Sequence, residues 1–178
     1  NVIEVRRSEQ PGMHERLHAI AEASGVRLGV GAQPGLLINK LSLNSPDETA
    51  RRAAIDEVKK SIDAAYELGA RICAALSGPA PEGEDEIKRQ MDLLVDSCVE
   101  LAKYSMDRAQ EHDYVVWLSL EQFDDAIEKR CIIGPSTRAA ELAERVRERV
   151  ANFGLTIDLS HVPLLGEGWN FGEIANGA

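Results

Sequence analysis

No apolar run in this chain approaches the roughly 18 residues that a membrane-spanning helix requires, and no charged, then apolar, then small-residue leader stands at its start. A membrane is therefore not an expected partner, and the cytoplasm is the expected location. The chain opens at Asn1, inside a strand-like run, which reads as sequence missing upstream. Cysteine is scarce: Cys73, Cys98 and Cys131 are widely spaced and form no CxxC pair, so neither a disulfide framework nor a zinc knuckle is expected. Basic residues are outnumbered as well. Thirty Asp and Glu against twenty Lys and Arg leave a net charge of -10, which repels a phosphate backbone and argues against nucleic acid as a partner. Neither an interdomain linker nor a low-complexity segment interrupts residues 1–178, so one domain is expected, and 44% hydrophobic residues suffice for a sizeable core.

What is present alternates. Five short β-like runs, "NVIEV", "RLGVGA", "RICAAL", "YVVWLSLE" and "LTIDL", are separated by helical stretches, and that alternation implies βαβ units and a parallel sheet. Ser45, Pro46 and Glu48 read as a capping box; Ala50, Ala54, Val58, Ile62 and Ala65 form an apolar stripe behind it, and Gly69 ends the helix. The acids of "EGEDE" open a second helix, which continues through Ile87, Met91, Leu94, Val95, Cys98, Leu101 and Ala102 to about Gln110. Ala139, Leu142, Val146 and Val150 mark a third, and Leu17, Ile20 and Ala21 a shorter one near the start.

Strand parity says more than the strands themselves, because alternate side chains point to opposite faces. Ile3 and Val5, Leu28 and Val30, Ile72 and Leu76, Val116, Leu118 and Leu120, and Leu155 and Ile157 are aliphatic and are expected under helices. The other parity is small or polar: Glu4 and Arg6, Gly29, Gly31 and Gln33, Cys73, Ala75 and Ser77, Ser119 and Glu121, Thr156 and Asp158. A doubly wound sheet, covered on both faces, would be aliphatic on both. A (β/α) TIM barrel accounts for the asymmetry, since its inner face converges on an axis and gathers polar groups at the C-terminal mouth. That reading places Glu121 and Asp158 at the mouth and leaves Gln33 and Ser77 as pocket lining without a role.

Two carboxylates facing each other repel and lose hydration unless a cation or proton lies between them. Oxygen ligands from Glu121 and Asp158 suit Mn, Mg or Co, and an imidazole from His161, just beyond the last strand, moves the choice towards Mn, Co, Zn or Fe. On spacing alone, acids at strand ends also cap helices and loops, so both readings stay open at this stage. Arg6 and Arg7 follow the first strand, where guanidinium geometry suits a substrate phosphate or carboxylate; Arg6 is the candidate clamp, with Glu4 as its alternative partner.

The stretches "LSLEQFDDAIEKRCIIGP" and "NFGLTIDLSHVPLLGE", together with "LNSPDETARRAAIDEVKKSIDAAYELGA", resemble the sugar phosphate isomerase/epimerase group of the xylose-isomerase-like TIM barrels. The likeness runs from about Leu41 to Glu167, and its specificity lies in a D-x-x-H element following E-x-x-D. It implies one divalent metal ion (Mn, Mg, Co or Zn) held by Glu121 and Asp158, with Glu121 also an acid/base group and His161 touching substrate hydroxyls. The family's remaining ligands, a histidine and a second glutamate, come from later strands that this sequence does not reach. A complete eight-stranded barrel takes about 250 residues. Five strands are read here, so a partial barrel is expected, either a fragment or a half barrel whose open edges need a partner.

The glycine-rich "GEGWNFGEIANGA" holds Glu167 and Glu173, to which the missing ligand roles are not transferred, and Trp169 and Phe171, suited to packing or to an apolar wall over a sugar. A related branch of phosphodiesterases with three metals uses histidines at earlier strand ends. Here those ends read "GVGAQ" and "ALSGP", so a trinuclear site is not expected. The resemblance thus implies a metal-dependent isomerase or epimerase of sugars or sugar phosphates, acting by proton transfer through a metal-stabilised enediolate. A lyase or C-glycoside-cleaving enzyme on the same barrel, and a non-catalytic module binding a sugar or a subunit, remain alternatives. A small sugar or polyol is the expected partner, and a homo-oligomer is compatible with all of these.

Overall fold

The computed structural model describes residues 1–161. Glu167, Trp169, Phe171 and Glu173 therefore lie outside the described residues. Five strands, β1 (Val2–Arg6), β2 (Arg27–Gly31), β3 (Ile72–Leu76), β4 (Trp117–Gln122) and β5 (Phe153–Ile157), form one sheet in the order β1-β2-β3-β4-β5 with every neighbouring pair parallel. A strictly sequential order has no switch point, which separates it from a doubly wound sheet and is the order of a (β/α) barrel wall.

Helices α1 (Met13–Ser24), α2 (Gln33–Ile38), α3 (Glu48–Glu67), α4 (Glu84–Arg108) and α5 (Ser136–Arg147) connect the strands. Helix α3 packs on β2 and β3, α4 on β4, and α5 on β5. Their apolar stripes, Ala54, Val58, Ile62 and Ala65 from α3, Met91, Leu94, Cys98 and Leu101 from α4, and Ala139, Leu142 and Val146 from α5, join Val30, Leu118, Leu120 and Phe153 in one core. Burial of that surface, at about 25 cal/mol per Å² of apolar area, is what holds the helices to one side of the sheet.

Three local expectations are corrected. Helix α3 is capped by Asp47, whose Oδ1 accepts from Ala50 N at 2.8 Å, whereas the Ser45 hydroxyl accepts from Asp47 N one turn earlier and Glu48 pairs with Arg51 and Arg52. The cap thus sits two residues later than the Ser45 box, because Asp47 presents its carboxylate to the first free amides directly. Ile20 is exposed on α1, at the edge of the sheet, rather than part of a buried stripe. The third correction concerns β3. Register aligns Cys73 with Val30 and Leu118, and Ala75 with Leu120, so the small residues Cys73 and Ala75 face the helices, while Ile72 pairs with Trp117 and Leu76 with Glu121 on the inner face. Ile72 is accordingly 44% exposed and Cys73 fully buried. Small side chains on the helix side let α3 and α4 approach the sheet closely, so side-chain size misleads as a guide to direction here. Ser77, expected in the pocket, is buried on the helix side, where its carbonyl accepts from Cys131 Sγ.

Candidate metal centre

The inner face carries Glu4 and Arg6 on β1, Gly29 and Gly31 on β2, Leu76 on β3, Ser119 and Glu121 on β4, and Gly154 and Thr156 on β5. Glu121 is in register with Thr156, and Asp158 follows two residues on, so both acids rise from the same face at the C-terminal ends of neighbouring strands. One step below them Ser119 Oγ and Thr156 Oγ1 share a hydrogen bond of 2.5 Å, which ties β4 to β5 under the acids.

After β5 the chain turns at once. Asp158 accepts from Ser160 N at 2.8 Å through its side chain, and from His161 N at 3.0 Å through its carbonyl. This tight turn folds His161 back over the strand end, with its ring 4.6 Å from that of Phe123. Glu121, Asp158 and His161 each offer a ligand atom within 4.8 Å of the others, the one such cluster of three among the described residues. His161 Nε2 lies 3.8 Å from Asp158 Oδ2, and the buried His161 Nδ1 finds no hydrogen-bond partner among the described residues. The Ser160 N–H, together with its hydroxyl and the nearby imidazole, holds the Asp158 carboxyl below its ordinary range, so it is negatively charged at neutral pH. Its side chain is 43% exposed and that of His161 only 18%.

Two further residues belong to this cluster. Gln33 Nε2 donates to Glu121 Oε2 at 2.7 Å. It sits in the first turn of the short helix α2, which the sequence pattern did not reveal because six residues are too few to show a period. Glu4 has its carboxyl pushed up by burial and by the charge of Glu121. No ion pair joins Glu4 to Arg6 among the described residues, so the alternative pairing read from sequence does not form. A side chain at position 31 would meet Glu4 Oε1 at 2.7 Å and Gln33 Oε1 at 2.8 Å, and glycine there is what lets both approach. Arg6 is not brought into the cluster. It lines an adjoining polar cavity of about 340 Å³ with Arg7, Gly35, Asn39, Glu57 and Ser61. Arg7 is committed elsewhere, to Glu9 and, at 3.0 Å, to Glu57.

The loop beyond Glu121 is held by Asp124. Its fully buried carboxylate accepts from the backbone N–H groups of Ile127 (2.6 Å), Glu128 (2.6 Å) and Lys129 (2.8 Å). Burial alone would raise this carboxyl, but the amides of Lys129, Glu128, Ile127 and Arg130 outweigh it and bring it down to about 2. In "EQFD" the second acid therefore staples a loop, and only the first faces the centre.

Two carboxylates and an imidazole converging on one space fit a divalent ion, because without one the negative oxygens face each other and the histidine nitrogen stays unpaired. No helix among the described residues is long and apolar enough to cross a membrane.

Comparison with known proteins agrees with this architecture. The family model described as "Xylose isomerase-like TIM barrel" matches residues 2–178. No curated protein matches the chain by sequence. Among solved structures, D-psicose 3-epimerase with D-tagatose from Clostridium cellulolyticum H10 superposes with a TM-score of 0.74 at 19% identity, over 99% of this chain and 59% of that one. An IOLI protein with a zinc atom gives 0.69 at 19% identity over 97% and 57%, and protein SMc04130 from Sinorhizobium meliloti 1021 gives 0.70 at 21% over 99% and 57%. The chain thus spans little more than half the length of these three.

Proposed function

Because this chain belongs to the xylose isomerase-like TIM barrel family, we propose that it forms part of a divalent-metal-dependent sugar or sugar phosphate isomerase or epimerase. The observation that carries the reading is the convergence of Glu121, Asp158 and His161 within 4.8 Å at the C-terminal ends of β4 and β5, where barrels of this kind hold their chemistry. Solved neighbours include epimerases described with D-tagatose and D-fructose and a protein described with a zinc atom, and their likeness supports the choice of substrate and cofactor class.

Glu121 and Asp158 would hold the ion, with His161 either completing its shell or orienting a sugar hydroxyl beside it. When bound, a divalent ion supplies Lewis-acid polarisation of a carbonyl and its neighbouring hydroxyl. Glu121 moves a proton at the carbon next to that carbonyl. The Ser160 N–H keeps Asp158 charged and in place. Phe123, stacked at a tilt against His161, limits the ring's rotation and shields it from water. Return of the proton to the same carbon from the opposite face gives an epimer, and its return to the adjacent carbon gives an aldose/ketose pair. We assign Arg6, at the adjoining cavity, to an anionic substituent such as a sugar phosphate.

Metal analysis with solvent-exchange mass spectrometry tests this. Stoichiometric Mn, Mg, Co or Zn, lost in Glu121→Ala and Asp158→Ala, and deuterium entering a ketose next to its carbonyl are expected. A folded protein that takes up no divalent ion, or that cleaves its sugar without exchange, would refute the assignment.

A further inference from the structure

Gln33 and Glu121 stand 88 positions apart, yet their side chains meet at 2.7 Å. We propose that Gln33 is a positioning residue: its side-chain amide holds one oxygen of the Glu121 carboxylate and so fixes which way that carboxylate faces. The proposal rests on Glu121 being a metal ligand and deepens that reading.

Several observations support it. The Gln33 side chain is fixed at its root, since Ala32 N donates to Ala74 O at 2.7 Å and Leu36 N to Ala32 O at 3.2 Å, and Leu36 is fully buried in the core. Gln33 itself is only 7% exposed. Its orientation follows from chemistry, because only the NH2 end of an amide can donate to a carboxylate. The other end has no hydrogen-bond partner among the described residues, and both Gln33 Oε1 and Glu4 Oε1 crowd the space over Gly31. The side-chain hydrogen bond that Gln33 makes among the described residues is the one to Glu121.

The residue type fits the task. A lysine or arginine at position 33 would hold Glu121 more strongly, but it would bring a positive charge into a space meant for a cation and spend the charge of the ligand. A glutamate would bring a further acid beside Glu4 and Glu121. A neutral donor orients the carboxylate and leaves its full negative charge for the ion, as outer partners of metal ligands do.

The test is Mn²⁺ titration of the whole chain by calorimetry, with circular dichroism to establish folding and urea unfolding without metal. Gln33→Ala is expected to weaken Mn²⁺ binding by roughly 10- to 100-fold. Gln33→Lys should weaken it at least as much while raising metal-free stability, a divergence that a merely structural role would not produce. In metal-free urea unfolding the effects of Gln33→Ala and Glu121→Ala should be non-additive, since each removes the same contact. Binding by Gln33→Ala within about twofold of the parent, or additive effects of the two alanines on metal-free stability, would overturn the proposal. Should the parent bind no Mn²⁺, the metal reading fails by itself, and the metal-free urea data decide the rest. Non-additive effects of the two alanines then keep Gln33 as the partner that positions Glu121; additive effects remove it.

Discussion

Glu121 and Asp158 project from the same face of adjacent parallel strands, Glu121 level with Thr156 and Asp158 one pleat farther on, with the Ser119–Thr156 hydrogen bond fixing the strands beneath them. The separation of the two acids is therefore set by the register of β4 and β5 together with the tight turn that begins at Asp158. Register is costly to change, because slipping one residue would turn Asp158 towards the helices. Ser119→Ala with Thr156→Val should keep the fold and the ion but weaken Mn²⁺ binding a few-fold, measurable by calorimetry. Unchanged affinity would mean that the hydroxyl pair has no part in setting the centre.

Asp124 gives a prediction for stability. Replacing it by Ala leaves the amides of Ile127, Glu128 and Lys129 without their acceptor and should cost about 1–3 kcal/mol in urea unfolding, with proteolysis appearing first in residues 125–130. Because its folded pKa, about 2, lies below the ordinary value of 3.8, the carboxylate's stabilisation is fully present above about pH 4. It is lost as pH falls towards 2. The parent's thermal midpoint should therefore drop over that window more steeply than that of Asp124→Ala.

Glu4 has the opposite sign. Burial and the neighbouring Glu121 raise its pKa, so the folded state binds its proton more tightly than the unfolded chain and loses stability as pH rises through that range. Glu4→Gln should raise the metal-free thermal midpoint at pH 7 and leave it unchanged well below the ordinary carboxylate range. An unchanged midpoint in Glu4→Gln at pH 7 would show that neither burial nor Glu121 raises the Glu4 carboxyl.

The inner and outer faces of β3 can be separated directly. Ala75→Leu, on the helix side and fully buried, should cost about 1–3 kcal/mol by overpacking. Ile72→Thr, half exposed on the inner side, should cost under about 1 kcal/mol. Reversal of that order in urea unfolding would restore the size-based assignment of β3.

Thiol chemistry supplies a further check. Burial, with the charge of Glu4 adding to it, pushes Cys73 up to about 12, and burial pushes Cys131 up to about 11; Cys98 is raised as well. All three should resist a thiol-reactive dye at pH 8 until denaturant is added. Labelling of any of them at the rate of a free thiol in the folded protein would contradict its burial.

Much of this molecule could be read from its linear order. The alternation of short apolar runs with three- and four-residue periodicity places five strands and the long helices, since a helix or strand must bury one face to be stable and that need repeats along the chain. The polar parity of β1, β4 and β5 identified the inner face, and a D-x-x-H turn after an acid-ended strand brought Glu121, Asp158 and His161 forward as candidates. Tertiary structure alone decided the direction of β3, where small and large apolar residues alternate without a polar one to mark a side, and the pairing of Gln33 with Glu121. Neither was available to local reading, because a contact between residues far apart in sequence depends on which strands lie side by side, and only the folded sheet specifies that.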